Sequence, residues 1–368
     1  MPQLTSDIVI VGGGIAGLSL AAAIGGRRSV VLVEAEETFA FHTSSRSAQQ
    51  MQPTYGPPEI RAITRASIPL VQDIARAIGS NILSPRPLLW CGFGETTIEL
   101  ADLIAHNPGV SDLTTARALE LLPVLRGDLL AFAGIDNNAH QVDVSALLRW
   151  YQAEAERTGA TLLTASPVTS AIRSGGSWII TAGAYTISAP VVVNASGAWA
   201  DTVAGIFDQP TKGLHPYRRT VVVADAAGAA VDPNWPMANN SDDSFYFRPD
   251  GLQILASPME DIVTTAQDAR PLRKDIDTII DRVNAATTLE LVESRAWTGL
   301  RTLAVDGLPV VGWGDDEHSF YWLAGQGGYG IQTSTGIARF VAAALADDAA
   351  ELPDDAIDSF SGLLASRF

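Results

Sequence analysis

The sequence predicts an α/β protein with a Rossmann-like unit at its N-terminus. Three observations carry this. Residues 7–11 form a short β-branched run of the kind that makes a buried parallel strand. Gly12-Gly13-Gly14-Ile15-Ala16-Gly17 follows and opens an Ala/Leu-rich segment that reads as a helix ended by Gly25-Gly26. Residues 29–33 form a second buried strand, closed by Glu34 about 20 residues beyond the glycines.

In that setting each glycine has a task. Gly12 permits the tight turn, Gly14 lets a pyrophosphate approach the backbone, and Gly17 lets helix and strand pack closely. The helix start offers N–H groups and the positive end of its dipole. Glu34 stands where a carboxylate accepts hydrogen bonds from a ribose diol. Dinucleotide binding is therefore expected.

The other elements follow in chain order. Residues 39–58 are irregular and polar, and a loop of that length argues for function. Residues 58–79 read as helical. A strand is expected over 88–91, after Pro85 and Pro87, and a helix over 142–157 with apolar positions Val144, Leu147, Leu148 and Tyr151. Segments 178–180 and 185–187 flank Ala182-Gly183-Ala184, a hairpin pattern. A third buried strand, 190–193, precedes Asn194-Ala195-Ser196-Gly197. Strands are expected at 220–223, 244–247 and 253–255, a mainly helical stretch over 272–292, and strands at 310–311 and 321–323. Residues 325–330 lead into a helix running to Leu345, and 347–355 read as a solvated acidic stretch.

Composition narrows the classes. Hydrophobic residues are 47 % and charged residues 18 %, so the chain has ample core and is not disordered as a whole. Its 368 residues suggest two domains. The net charge of −17 repels phosphate backbones, so no nucleic-acid partner is expected, and an anionic substrate needs a local positive pocket. The one cysteine, Cys91, excludes an internal disulfide and a Cys-based metal site, and fits a reducing compartment. The five histidines show no metal-ligand spacing, so no metal is expected. The first apolar stretch carries Asp7, is broken by glycines and lacks a basic flank, which argues against a signal peptide. Residues 341–346 are too short to span a bilayer. The expected setting is the cytoplasm, without an integral membrane segment; peripheral contact with the inner face of the membrane stays open.

The glycine fingerprint alone does not separate NAD from FAD. Two later features favour FAD. One is the strand ending in small residues at 191–197. The other is Gly325-Gln326-Gly327-Gly328-Tyr329-Gly330-Ile331-Gln332, a turn poised before a helix whose start favours negative charge on a reduced flavin. These pieces lie in the N-terminal, middle and C-terminal parts of the chain, whereas a nicotinamide enzyme usually holds its cofactor within one contiguous domain.

Taken with His42-Thr43-Ser44-Ser45-Arg46-Ser47-Ala48, Asn194-Ala195-Ser196-Gly197-Ala198-Trp199, Gly299-Leu300-Arg301 and Asp306-Gly307-Leu308-Pro309-Val310-Val311-Gly312, the sequence resembles the D-amino-acid oxidase (DAO) superfamily of flavoproteins. It is most similar to bacterial D-arginine dehydrogenase-like enzymes, which also share Leu83-Ser84-Pro85-Arg86-Pro87, Trp235-Pro236-Met237 and Ser244-Phe245-Tyr246. The likeness runs nearly the full chain.

The resemblance implies a discontinuous FAD-binding domain of the glutathione-reductase type, over 1–80, 140–214 and 296–368. It implies an inserted α+β substrate domain, over 81–139 and 215–295, on a mostly antiparallel sheet. It implies non-covalent FAD. The cofactor residues are then Gly12, Gly14, Ile15, Ala16 and Gly17; Glu34 and Ala35; Thr43, Ser44, Arg46, Ser47, Ala48 and Gln49; Val168 at the adenine; Ala195, Gly197 and Trp199; and Gly327, Gly328, Tyr329, Gly330, Ile331 and Gln332. Ser45 stands where the family usually has glycine.

An amino-acid carboxylate in so acidic a protein needs a dedicated cation, and an arginine holds one by two parallel hydrogen bonds. By resemblance Arg301 is that clamp. Strand alternation puts Arg218 and Arg219 on opposite faces, and resemblance selects Arg219 as the inward one. Tyr246 is expected to donate to the same carboxylate and Tyr55 to cap the pocket. Gln50, Gln52, Gly328 and Gln332 are the expected polar contacts. Leu88 stands where D-arginine dehydrogenase-like enzymes carry a glutamate, and Gln50 and Gln52 where they carry His and Thr. A buried guanidinium without a carboxylate is costly, so neutral or apolar side chains are expected. The expected activity is FAD-dependent dehydrogenation of D-amino acids, handing electrons to a quinone, an electron-transfer protein or O2. An H2O2-forming amine or amino-acid oxidase and a 2-hydroxy-acid dehydrogenase stay open.

Overall fold

The computed structural model describes residues 1–94 and 100–368. Five parallel strands and one antiparallel edge strand make a six-stranded sheet. Its order is Thr161–Leu163, Val30–Val33, Ile8–Val11, Val191–Asn194, Phe320–Ala324 and Val310–Trp313, the last pairing antiparallel. The strands run apolar on both faces because both are covered. Ile8, Ile10, Val30, Leu32 and Val193 face a helical layer of Ile15–Ile24, Pro58–Ile78, Val144–Arg157 and Gly330–Ala346. Val9, Val11, Val31, Val33 and Val192 face a four-stranded sheet and the Ala200–Ile206 helix. In sequence the central runs are legible because nearly every position is buried; the edge strand Thr161–Leu163, exposed to half-buried, was not expected.

A nine-stranded sheet supplies the other half. All its pairings are antiparallel except that of Met237–Asn240 with Leu88–Phe93. One face packs on Arg273–Ala286 and Thr115–Leu121, with Phe247, Ile254, Ile279 and Val283 at its centre. The other face carries Val221, Met237, Tyr246 and Leu255. This is the expected α/β architecture with a second, mainly antiparallel layer.

Several elements differ in extent from expectation. The strand expected at 220–223 runs His215–Ala226, and its partner Leu291–Leu303 begins inside the stretch expected to be helical, whose helix ends at Ala286. The expected division at 295/296 therefore falls within one continuous strand. The expected piece 81–139 includes residues 95–99, which lie outside the described residues. Val142 ends a short strand paired to Leu83, and the helix starts at Val144 behind the Asp143 cap. Among the described residues no helix is long and apolar enough to cross a membrane.

Candidate active site

The glycine turn joins Ile8–Val11 to the helix at Ile15. A Cβ on Gly17 would overlap the Gly12 carbonyl oxygen, so only glycine lets this helix lie so close to the turn. Glu34 accepts from the Gly13 N–H at 2.6 Å and the Glu36 N–H at 3.0 Å, which fixes its carboxylate at the strand end. The Ser44 hydroxyl accepts from the Ile15 N–H at 2.9 Å. That bond brings the 39–58 loop onto the helix start.

Two joined cavities follow this path. The first, about 340 Å³, is lined by Gly12, Gly14, Glu34, Ala35, Thr43, Ser44, Val168, Ala195, Gly197 and Trp199. The second, about 180 Å³, shares Gly14, Thr43, Ser44, Ala195 and Gly197, and adds Ile15, Ala16, Arg46, Ser47 and Ala48. Gly327, Gly328, Gly330, Ile331 and Gln332 close it from the C-terminal turn. Gly17, Gln49 and Tyr329 line neither. Gly17 packs beneath the turn, and Tyr329 faces an outer cleft with Tyr55 and Trp90.

The same second cavity gathers Arg301, Arg219, Tyr246, Tyr55, Gln50 and Gln52. The two arginines come from adjacent strands. Arg219 pairs with Gly299 and Arg301 with Tyr217, so both guanidinium stems leave the same face of the sheet on diagonal positions. Arg218 leaves the opposite face, toward Asp275 at 3.5 Å. Arg301 lies against the Gly328 backbone, where a Cβ would sit 2.7 Å from its Cζ. Among the described residues Arg301 enters no ion pair.

Arg219 is 7 % exposed and donates to Asp261 at 2.6 Å, while its Nε and Nη1 have no hydrogen-bond partner among the described residues. Burial, then the like charge of Arg301, lowers its pKa from the usual arginine value. Burial, reinforced by Asp243, pushes the Tyr55 phenol up, so it stays protonated and can donate. The chamber thus presents cationic and phenolic donors with spare capacity, the requirement for holding a small anion.

Sequence reasoning missed part of the wall. Val221, Met237, Asn239 and Met259 complete the chamber. Val221 lies two residues beyond Arg219 on the same alternating face, a signal that was available. Met259 sits in a loop at φ 51°, and no sequence pattern marks its direction. Leu88 is fully buried beside Met237 in the parallel pairing and does not line the cavity. It backs the wall; it does not form it.

A glycine-cradled trough thus adjoins a chamber lined by arginine and phenol side chains, the arrangement of a protein that holds a nucleotide cofactor beside a second ligand. Residues 7–344 match the DAO family of FAD-dependent oxidoreductases, and the chain belongs to that family. Its cofactor is FAD. The glycine cradle, the tethered Glu34 and a trough continuous from Val168 to Gly328 suit that group. Mitochondrial dimethylglycine dehydrogenase of Mus musculus is 27 % identical over 372 residues, covering 91 % of this chain and 42 % of that protein. Alpha-glycerophosphate oxidase of Enterococcus casseliflavus is 25 % identical, covering 82 % and 55 %. The chain thus spans about half the length of these curated relatives. In fold it is similar to glycine oxidase from Geobacillus kaustophilus, with TM-score 0.85, 22 % identity and 99 % of each chain covered. L-proline dehydrogenase from P. horikoshii gives TM-score 0.85 at 18 % identity, with 99 % and 100 % covered. The chain is thus an FAD-dependent oxidoreductase.

Proposed function

We propose that this chain oxidises D-amino acids with neutral or apolar side chains. The substrate loses a hydride from Cα and a proton from nitrogen, and the imino acid formed is hydrolysed to a 2-oxo acid and ammonia. The observation that carries the reading is Arg301. It is a guanidinium without an ion-pair partner among the described residues, aimed into the chamber that adjoins the glycine cradle. When bound non-covalently, FAD supplies the two-electron acceptor.

The protein's part is orientation. Arg301 holds the carboxylate by two parallel hydrogen bonds. Arg219 adds charge from the next strand, and Tyr246 and Tyr55 line the chamber as hydroxyl donors. Fixing the carboxylate presents Cα at a constant height over the cofactor seat, which is worth orders of magnitude in rate. Val221, Met237, Met259 and Leu300 give apolar wall for the side chain. The two guanidinium groups repel a cationic one. The D configuration rests on the sequence resemblance.

Anaerobic mixing tests this. D- and L-amino acids, glycine, N-methylated glycines and 2-hydroxy acids are each added, and flavin absorbance near roughly 450 nm is followed. D-Leu or D-Met is expected to bleach the flavin faster than its L-enantiomer and faster than D-Arg. An advantage of D-Arg by about tenfold, some 1.4 kcal/mol of transition-state binding, overturns the side-chain reading. Reduction by L-amino acids alone overturns the stereochemical one. Reoxidation by air or by a quinone then assigns the acceptor.

A further inference from the structure

Arg248 is the largest fully buried charged side chain among the described residues, and the chamber does not display it. It is fully buried, in the middle of Tyr246–Asp250. A buried guanidinium on a sheet costs more than an apolar residue of the same volume unless its donors are used. They are used, half of them on the Ala48–Gln49 turn and half on its own strand end. Its Nε donates to the Ala48 carbonyl at 3.0 Å and its Nη2 to the Gln49 side-chain oxygen at 2.7 Å. Nη1 donates to the Pro249 carbonyl at 2.6 Å and reaches Asp250 at 3.3 Å.

Gln49 has φ 61°, a left-handed conformation that a non-glycine side chain holds only under outside constraint. Its N–H donates to the Ser47 hydroxyl at 2.9 Å and its carbonyl accepts from Val142 at 2.9 Å. The turn so held delivers Gln50 to the chamber. Gln50 is 8 % exposed, lines the cavity, and neither atom of its amide has a hydrogen-bond partner among the described residues. A buried amide left wholly unpaired is expensive, which marks Gln50 as a ligand contact.

We infer that Arg248 is a positioning residue: it locks the Ala48–Gln49 turn so that the Gln50 amide meets the substrate or the flavin. This links the antiparallel sheet to the cofactor loop through one side chain. The inference rests on the chamber being where substrate meets FAD, not on the identity of the substrate.

The test uses FAD-loaded protein carrying Arg248→Lys, Arg248→Met, Gln49→Ala or Gln50→Ala, and the Arg248→Lys/Gln50→Ala double variant. Absorption spectrum and midpoint potential of the bound FAD are read, then the limiting rate of anaerobic reduction. Arg248→Lys, which keeps the charge but not the fork, is expected to shift the flavin bands and slow reduction by about 10–100-fold, with less change in substrate affinity. Gln49→Ala shifts both in the same direction by less. The double variant is no slower than Gln50→Ala alone, because the two act through one contact. If Arg248→Met fails to fold, the lysine and Gln49 variants carry the test. Additive effects overturn the inference, as does a change in thermal stability with spectrum and rate unaltered. If no amino acid reduces the wild-type flavin, the proposed function fails while spectrum and potential still decide the role of Arg248.

Discussion

Arg301 shows how much one residue can be asked to do. Among the described residues it enters no ion pair, Gly328 gives it room, and Arg219, itself paired to Asp261, stands two strand positions away in a chain of net charge −17. Removing it should cost transition-state binding and leave the nucleotide end alone. Arg301→Ala is expected to keep its flavin and to lose about 10²–10³-fold in kcat/KM on its best amino acid, some 3–4 kcal/mol. Near wild-type kinetics would put the carboxylate elsewhere. That Arg301 and Arg219 line one chamber was legible in sequence, both through the resemblance and Arg219 also through strand alternation. Asn239, Met237 and Met259 were not, because their place depends on which strands neighbour one another across more than a hundred residues.

At the scale of elements, the four central parallel strands and the Ile15–Ile24 helix lie within a residue of their expected limits, since each is short and almost uniformly buried, whereas the partly exposed edge strand Thr161–Leu163 was not expected. The long pair His215–Ala226 and Leu291–Leu303 was only partly legible. Its outer stretches alternate charged and apolar residues and carry Pro216, so local pattern alone reads as loop or helix end, and pairing decides. Leu88 is the sharper lesson. The resemblance suggested a pocket wall, since relatives carry a glutamate there; the structure buries it fully beside Met237, on the chamber-side face but behind the cavity lining. Leu88→Glu should therefore unfold before it re-specifies. Burying an unpaired carboxylate there is expected to cost about 3–5 kcal/mol, read as a large drop in the thermal midpoint. A stable Leu88→Glu protein that gains D-Arg activity would show that the side chain reaches the chamber after all.

The whole molecule is arranged around the junction of its two largest sheets. The 3-10 turn Thr43–Arg46 leaves the glycine-cradle side and bonds across to the long strand: Thr43 to the Leu300 carbonyl at 2.8 Å, Arg46 to the Thr298 carbonyl at 2.8 Å. Arg46 also reaches Asp268 at 2.6 Å. The cavities that suit FAD lie along this seam, walled by the glycine turns on one side and by Arg219, Val221 and Tyr246 on the other. A ligand filling the seam touches both sheets and binds only the folded chain, so it must stabilise the fold by mass action. At free FAD about 100-fold above its Kd, that is roughly 2.7 kcal/mol. For a chain of this size the thermal midpoint should then rise by about 5 °C over the FAD-free protein. Protection from proteolysis should concentrate in segments 39–58 and 325–330, which close on the seam from opposite ends of the chain. Equal midpoints with and without FAD would mean that FAD does not bind the folded chain in preference to the unfolded one. A raised midpoint with protection of only one of the two segments would mean that the cofactor rests on one sheet alone. The junction would then be held by the Thr43 and Arg46 bonds without it.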